Sequence, residues 1–323
     1  MSSSDPLITT LVVPGGMTMR LDRFLAQRLH GGSRQRAREL IAARAVRVNG
    51  RRAGKASPLR PGDVVTVARR TADASHSAAL TPEPGLAVRI LYEDAAIVAL
   101  DKPAGMPSTA ARTGDRGTVA NFLAGRYPET VRLGGRAVEA GLAHRLDTGT
   151  SGVLLAARTV DALQALRRQF RRHEIEKTYL ALVAGDIDAE GMISHPIAHA
   201  PRHPRRMTVC RTAERARRLK AREAVTFYRP IERFGTATLL EIRMRTGVRH
   251  QIRVHLASIG NPLLGDSLYN RDLGPMSRAP RLLLHASQIR FRHPLTGTPV
   301  AVSAARPRDL RVVLRELRAA QQR

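Results

Sequence analysis

The 323-residue sequence has little cysteine and no long apolar run, and each absence excludes a class of protein. The single cysteine, Cys210, excludes an internal disulfide framework and a multi-cysteine zinc site. No apolar stretch approaches the ~18 residues that a membrane helix needs. The polar start, Met1 to Asp5, lacks the basic and apolar segments of a secretory signal. These absences predict a cytoplasmic protein with no membrane partner.

Acidic residues are also scarce: 27 Asp and Glu face 54 Lys and Arg, which gives a net charge of +27. Such a field attracts polyanions and speeds their association. Nearly all of the positive charge is arginine, which a GC-rich genome would explain without explaining the basic excess. An anionic membrane surface is the main competing partner, but no long basic amphipathic helix with aromatic anchors supports it. The charge therefore favours a nucleic acid.

Length and composition predict two domains, and a hydrophobic content of 43% suffices for a sizeable core. Residues 71–85 are rich in Ser, Ala and Pro and are predicted to be a flexible linker. The predicted order is an N-terminal tail at 1–16, a small α/β module at 17–70, this linker, and a larger domain at 86–323.

The module at residues 17–70 contains two helical patterns followed by short strands. Leucine and phenylalanine recur at helical spacing after Leu21, and Ser33 is a good N-cap for a second helix. Asn49-Gly50 predicts a tight turn between short strands. Basic residues surround the second helix and this turn: Arg34, Arg36, Arg38, Arg44, Arg47, Arg51 and Arg52. A solvated basic face is one interpretation of this cluster.

The residues of this module also resemble a known family. The pattern Leu-Asp-x-Phe-Leu, Ser-Arg, Val-x-Val-Asn-Gly and Gly-Asp is similar to the S4-like RNA-binding domain and spans the module. The resemblance implies RNA contact. We predict that five residues of the basic cluster bind RNA: Arg34, Arg36, Arg38, Arg47 and Arg51.

Short strand patterns dominate the larger domain and predict an α+β fold class built on a largely antiparallel sheet. The predicted strands are Val88–Tyr92, Ala96–Leu100, Gly152–Ala157, Thr178–Val183, Ala224–Phe227 and Thr238–Met244. Leu163, Leu166 and Phe170 share one face of a predicted helix, and a last helix follows Pro307. The basic run from Arg202 to Arg222 is interpreted as a mobile RNA-facing loop, with a solvated segment nearly as well supported.

The densest group of chemically useful residues is His-Arg-Leu-Asp-Thr-Gly-Thr-Ser-Gly at 144–152, directly before an apolar strand. Rigid scaffolds present catalytic groups from such turns, although Asp147 could equally cap nearby amides there. A nucleophile elbow is excluded because Val153 stands where glycine is needed.

With these residues the chain is identified as resembling the RluA-type pseudouridine synthases, over roughly residues 88–305. The nine-residue signature is followed by Lys177-Thr178-Tyr179-Leu180-Ala181-Leu182-Val183 and by His250-Gln251-Ile252-Arg253-Val254-His255-Leu256. Further matches, in chain order, are Asp101–Pro107, Gly265-Asp266-x-x-Tyr269 and Leu284-His285-Ala286. The third motif departs from the family at Val248-Arg249, where the family has Arg-Thr, and Arg249 is the candidate replacement for the usual arginine.

The resemblance implies an isomerase that converts uridine to pseudouridine in structured RNA without metal or organic cofactor. It assigns the catalytic roles to Asp147 as nucleophile, Arg253 as its cationic partner, and Tyr179 against the target base. A stacked uridine must be flipped out of the RNA, and Arg145 is expected to fill the vacated stack. The expected partner is ribosomal RNA or a ribosome precursor, with the large subunit favoured because of the S4-like domain, and the enzyme is expected to be a monomer.

Other functions remain open on the sequence. A transfer RNA could be the substrate, or the chain could be an RNA-binding protein without catalysis, although the joint presence of Asp147, Tyr179 and Arg253 argues against the latter. An S4-like domain fused to a methyltransferase or ligase would need a glycine-rich cofactor loop, which the sequence lacks.

Overall fold

A computed structural model describes residues 8–16, 18–29, 34–68, 80–111, 114–133, 137–270 and 279–322, without the side chains of 8, 34–36 and 39. The chain divides into two compact units, and the larger one comprises Leu80–Leu133 and Val138–Arg323. No helix in these ranges is long and apolar enough to cross a membrane.

In its described residues, the smaller unit contains two helices and short antiparallel strands. Its elements are β1 (Ile8–Val12), β2 (Met19–Arg20), α1 (Leu21–Arg28), α2 (Arg34–Ala42), β3 (Val46–Val48), β4 (Arg51–Arg52), β5 (Pro58–Leu59) and β6 (Val64–Ala68). The main sheet has the order β1-β6-β3-β4, and β2 pairs with β5. Asn49 and Gly50 have φ of 48° and 76°, which confirms the predicted tight turn between β3 and β4.

The core of this unit follows from the predicted helical spacing. Leu21, Phe24 and Leu25 lie on one face of α1 and are fully buried against Val46 and Val65. Part of the tail predicted for residues 1–16 is structured, because β1 (Ile8–Val12) pairs with β6 in antiparallel register. The N-cap predicted at Ser33 lies outside the described residues.

The larger unit alternates strands and helices. Its elements are β7 (Arg89–Glu93), β8 (Ile97–Lys102), α3 (Val119–Arg126), β9 (Ser151–Ala157), α4 (Val160–Arg171), β10 (Glu176–Ala184), β11 (Gly191–Ile193), β12 (Ile197–His199), β13 (Met207–Val209), α5 (Ala213–Leu219), β14 (Thr226–Arg233), β15 (Ala237–Met244), α6 (Gln251–Ser258), β16 (Leu284–Arg292), β17 (Pro299–Ser303) and α7 (Arg308–Gln321).

In the described residues nine of these strands form one sheet, ordered β11-β14-β15-β10-β16-β9-β8-β7, with β17 paired to β16. The pair β9–β16 is parallel and the other pairs described in this sheet are antiparallel. The predicted α+β class with a largely antiparallel sheet is therefore confirmed. Of the predicted strands, the one at Ala224–Phe227 is displaced, because β14 begins at Thr226 and continues to Arg233.

The two faces of strand β10 separate the larger unit into layers. Tyr179, Ala181 and Val183 alternate towards the core that contains α3 and α6 residues, whereas Leu180 and Leu182 face the opposite side. That opposite side is covered by α7 through Leu310 and Leu314. Tyr179 is thereby placed on the face of the sheet opposite the C-terminal helix.

Two segments differ from the sequence-based expectation. The basic run from Arg202 to Arg222 is not a loop throughout, since it includes β13 and α5. Helix α5 has a Thr212 N-cap but no buried residue, so it shows no apolar periodicity. Residues 80–85, assigned to the flexible linker, instead contact α3: Leu80 is buried and Asn121 Nδ2 donates to the Thr81 carbonyl at 2.9 Å.

Candidate active site

Asp147 lies in a turn that leads into the buried strand β9. The turn closes through the Thr150 amide, which donates to the Asp147 carbonyl at 3.0 Å. A second segment supports it from outside: the Gly105 amide donates to the Thr148 carbonyl at 2.8 Å, and Ser108 Oγ donates to the Leu146 carbonyl at 2.8 Å. The Asp147 carboxylate is held on a rigid loop and its side chain keeps 24% exposure.

The buried cation of Lys102 joins the same two segments. Its Nζ donates to the carbonyls of Pro103, Met106 and Thr148 at 2.9, 2.6 and 3.1 Å. Burial lowers the pKa of Lys102 to about 7, although the negative charge of Asp147 opposes this shift. Three carbonyl acceptors satisfy all three ammonium protons, so the lysine ties the Asp147 turn to the end of β8.

Gly152 allows the turn to enter the sheet beside β16. Its φ is +111°, and a Cβ placed there would lie 2.1 Å from the Ala286 carbonyl oxygen. Any other residue would push apart β9 and β16 at the Ser151–His285 and Gly152–Ala286 pairs. This explains why glycine ends the His144–Gly152 signature.

Helix α6 supplies the cation that faces Asp147. Arg253 Nη1 donates to Asp147 Oδ2 at 3.2 Å, while its Nε and Nη2 both bond the Asp266 carboxylate at 2.7 Å. Asp266 is buried and also accepts from the Leu268 and Tyr269 amides. Burial alone would lower the pKa of Arg253, but the hydrogen bonds to Asp266 raise it above the usual value. Arg253 is a fixed, fully charged partner for Asp147.

Tyr179 comes from β10, beside an irregularity in its register with β16. The residue is 6% exposed and its ring contributes to the wall around Asp147. Burial raises the pKa of Tyr179, and the negative charge of Asp147 raises it further. Its hydroxyl therefore stays protonated near neutral pH and can donate a hydrogen bond.

The side chains of Asp147, Tyr179 and Arg253 line one cleft of about 620 Å³, a volume typical of a small-ligand site. The structure brings together there five of the predicted site residues: Arg145, Asp147, Tyr179, Arg249 and Arg253. Of the described side chains that line it, Asp147 is the only carboxylate, and seven are lysine or arginine. The cleft can therefore hold a polyanion around a single reactive acid.

Arg145 and Arg249 lie at the edge of this cleft. Both side chains are exposed, and Arg249 Nη2 reaches the Arg205 carbonyl at 3.5 Å. Val248, at the position of the usual arginine, is buried with Met207 and Val254. The departure in the third motif thus replaces a charged residue by part of an apolar cluster.

The remaining predicted RNA-binding residues belong to the smaller unit and are described within it. Arg38, Arg47 and Arg51 are exposed. Arg47 Nη1 donates to the Gly50 carbonyl at 3.0 Å, and Arg38 Nε lies 3.8 Å from Asp22. The side chains of Arg34 and Arg36 lie outside the described residues.

Several histidines of the motifs make hydrogen bonds that support the fold. His144 Nε2 accepts the Leu155 amide at 3.0 Å, and burial, aided by the charge of Lys177, lowers the pKa of His144 to about 3. His255 bonds Thr226 and the His195 carbonyl, and His285 bonds Ser151. Among the described residues, no group of three or more His, Cys, Asp or Glu side chains could hold a metal ion.

Sequence reasoning missed the roles of Lys102 and Asp266. Both stand in motifs quoted for the resemblance, Asp101–Pro107 and Gly265-Asp266-x-x-Tyr269. The available signal was a charged residue inside an otherwise apolar pattern, which burial makes costly unless it is paired. Neither partner could be named, because both pairings join distant segments.

Comparisons with known proteins show the family to which the chain belongs. The model of the family described as RNA pseudouridylate synthase matches residues 96–258, and that of the S4 domain matches residues 19–65. Ribosomal large subunit pseudouridine synthase D of Nitrosomonas europaea is 35% identical over 317 residues, covering 95% of this chain and 87% of that protein. The protein of the same name from Xanthomonas campestris is 35% identical over 331 residues, covering 98% and 95%. The solved structure of human RNA Pseudouridylate Synthase Domain Containing 4 is 25% identical with a TM-score of 0.55, covering 71% of this chain and 92% of that chain.

Proposed function

The chain belongs to the RNA pseudouridylate synthase family, and we propose that it isomerises uridine in large-subunit ribosomal RNA with Asp147 as nucleophile. The observation that carries the role of Asp147 is its position in a strongly basic cleft, as the one carboxylate among the described lining residues, in contact with Arg253 and beside Tyr179. A cytoplasmic location and a monomeric state remain predictions from the sequence.

The choice of ribosomal RNA rests on the relatives and on the charge. Two relatives that span nearly the whole chain carry large-subunit ribosomal RNA in their names. The S4 domain and the net charge of +27 fit a large polyanion better than a small one. Transfer RNA is the second candidate, because its stems present the same phosphates.

The reaction breaks the N1–C1′ bond of uridine and forms a C5–C1′ bond, so the atoms of the base are conserved. A proton leaves C5 and one is gained at N1, and no oxidant or reductant is consumed. Asp147 attacks either the sugar or the base, which holds one fragment while the base turns. Arg253 is held by its two hydrogen bonds to Asp266, and its remaining N–H orients the Asp147 carboxylate.

Access to the uridine requires that it leave the RNA stack at a cost of a few kcal/mol. Arg145 is exposed at the cleft edge and has the length and planarity to fill the gap left in the stack. Tyr179 then lies against the flipped base inside the cleft. These two roles explain why Arg145 is exposed while Asp147, two residues later, is half-buried.

The substrate proposal is tested with unmodified RNA transcripts and the purified full-length protein. Pseudouridine is expected at one or a few positions of large-subunit ribosomal RNA, mapped by chemical modification and primer extension. Equimolar transfer RNA transcripts serve as the comparison. If the transfer RNAs are modified and the ribosomal RNA is not, transfer RNA is the substrate and the proposal of ribosomal RNA is wrong.

Tyr179→Phe tests the hydroxyl separately from the ring. We expect kcat to fall by about 10²-fold or more, as for other lost proton-transfer groups. Affinity for RNA should change little, because the phenyl ring keeps a stacking contact of about 1–3 kcal/mol. Single-turnover rates and filter binding measure the two quantities. Equal losses in rate and affinity would restrict the hydroxyl to a binding role.

The arginines of the smaller unit are tested in the full-length chain by the triple change Arg38→Gln, Arg47→Gln and Arg51→Gln. Each lost phosphate contact lowers the log–log salt slope of binding by about 0.7–0.9, so the slope should fall by about 2–3. Turnover at saturating RNA should stay near wild type, because Asp147, Tyr179 and Arg253 belong to the larger unit.

A matched control removes the same charge from another surface: Arg308→Gln, Arg311→Gln and Arg315→Gln on the exposed face of α7. An equal fall in slope for both triple variants would mean that net charge alone, and not the S4 domain, is responsible.

A further inference from the structure

His250 lies beside Asp147 and has no part in the assignments above. It directly precedes α6, and its φ of 56° is a left-handed conformation that a non-glycine residue rarely adopts. The buried ring faces two groups: Nε2 lies 3.8 Å from Asp147 Oδ2, and Nδ1 lies 3.0 Å from the Tyr269 hydroxyl. An unusual backbone therefore aims an imidazole at the carboxylate.

The contacts of Tyr269 favour one tautomer of the His250 ring. The Tyr269 hydroxyl oxygen accepts the Met207 amide at 2.7 Å, so its own proton needs an acceptor. Among the described residues, His250 Nδ1 is the only acceptor within hydrogen-bond distance. Burial lowers the pKa of His250 to about 4, so the ring is neutral near pH 7 and its single proton resides on Nε2. That N–H points towards Asp147.

Two donors consequently face the same oxygen of the carboxylate. Arg253 Nη1 and His250 Nε2 both approach Asp147 Oδ2, at 3.2 and 3.8 Å. In the described part of the chain no donor is within hydrogen-bond distance of Oδ1. The longer distance is typical of a contact that tightens when substrate closes the site.

We propose that His250, held in one tautomer by Tyr269, is a positioning residue that fixes Asp147 Oδ2 and leaves Oδ1 free to attack the uridine. This inference rests on the proposed function of Asp147. A neutral donor suits the task, because it restrains the rotation of the carboxylate without adding a second positive charge beside Arg253. When Oδ1 forms its covalent bond, Oδ2 becomes a carbonyl oxygen that faces both N–H groups.

The test uses two amide substitutions that each reproduce one ring nitrogen. In His250→Gln the longer side chain places its NH₂ near the position of Nε2, so it can still donate to Asp147. In His250→Asn the amide reaches only the position of Nδ1, and asparagine tolerates the left-handed backbone well. Asparagine therefore fits the backbone at position 250 better than glutamine does, but it cannot donate a hydrogen bond to Asp147.

We expect kcat of His250→Asn to fall by about 10–100-fold, the scale of loss when a reacting group is misplaced. KM for the RNA should stay within about twofold, since the His250 ring is buried and faces Asp147 and Tyr269. His250→Gln should recover most of the lost kcat. Tyr269→Phe should lower kcat by about 10-fold, because the ring can then place its proton on Nδ1.

Several outcomes would overturn the inference. One is wild-type kcat for His250→Asn, and another is equal loss in His250→Gln and His250→Asn when both melt like wild type. If the His250 variants do not fold, Tyr269→Phe decides, and an unchanged kcat sinks the proposal. Asp147→Asn is assayed in parallel. Turnover by the Asp147→Asn protein would contradict the proposed function itself. If the Asp147→Asn protein is inactive and the His250→Asn protein is fully active, only the inference about His250 is contradicted.

Discussion

Asp147→Asn protein is expected to form pseudouridine at least about 10⁴-fold more slowly than wild type, the scale of loss when a nucleophile is removed. The exchange is nearly isosteric, and an amide oxygen can still accept from Arg253 Nη1. What disappears is the negative charge that attacks the uridine. RNA affinity and melting temperature should therefore stay close to wild type, and quantitative mapping of modified RNA measures the loss.

A matched control makes the same chemical change outside the cleft. Asp186 pairs with Arg233 on the surface and does not line the cleft, so Asp186→Asn should keep full turnover. The Asp147→Asn protein must be prepared from cells that lack wild-type enzyme. Turnover above background in such a preparation would contradict the nucleophilic role.

Arg253→Met is expected to have the second-largest effect, and it should affect both activity and stability. Removal of one preorganised charged donor typically lowers kcat by about 10²–10³-fold. The same change leaves the Asp266 carboxylate, whose side chain is 0% exposed, without its bidentate partner. Breaking a buried ion pair from one side costs about 3–5 kcal/mol in the free energy of unfolding.

A double variant separates the two losses. Asp266→Asn combined with Arg253→Met removes the uncompensated buried charge, and the asparagine oxygen can still accept the Leu268 and Tyr269 amides. The midpoint of denaturant unfolding should recover towards wild type while kcat stays low. Recovery of turnover together with stability would show that Arg253 acts only by supporting the fold.

The proposed catalytic residues could be selected from the sequence because they stand in contiguous motifs. Asp147, Tyr179 and Arg253 were selected on that ground, and the structure brings all three to one cleft. The identity of their partners could not be read in the same way. Asp266 binds Arg253 across 13 positions and Lys102 binds the Thr148 carbonyl across 46, so each pairing depends on the completed fold.

Helices and strands could be predicted where their apolar residues form a recognisable pattern, and could not be predicted elsewhere. Helix α4 was predicted from apolar residues at helical spacing and strand β10 from a short apolar run, and the burial of these residues confirms both. Helix α5 was missed because it buries nothing and therefore lacks that pattern. The orientation of the His250 ring depends on a left-handed φ, which no side-chain pattern indicates in advance.

The place of β16 in the sheet has a consequence for the synthesis of the protein. Strand β16 lies between β9 and β10, so it joins the β7–β9 half of the sheet to the half that carries Tyr179. Until β16 leaves the ribosome, both of those neighbours are open edges that can pair with other chains. At 5–20 residues per second, roughly 140 residues after Asp147 take about 7–30 s to translate. During that interval the nascent chain cannot complete the sheet that carries Asp147 and Tyr179, and it exposes two unpaired strand edges.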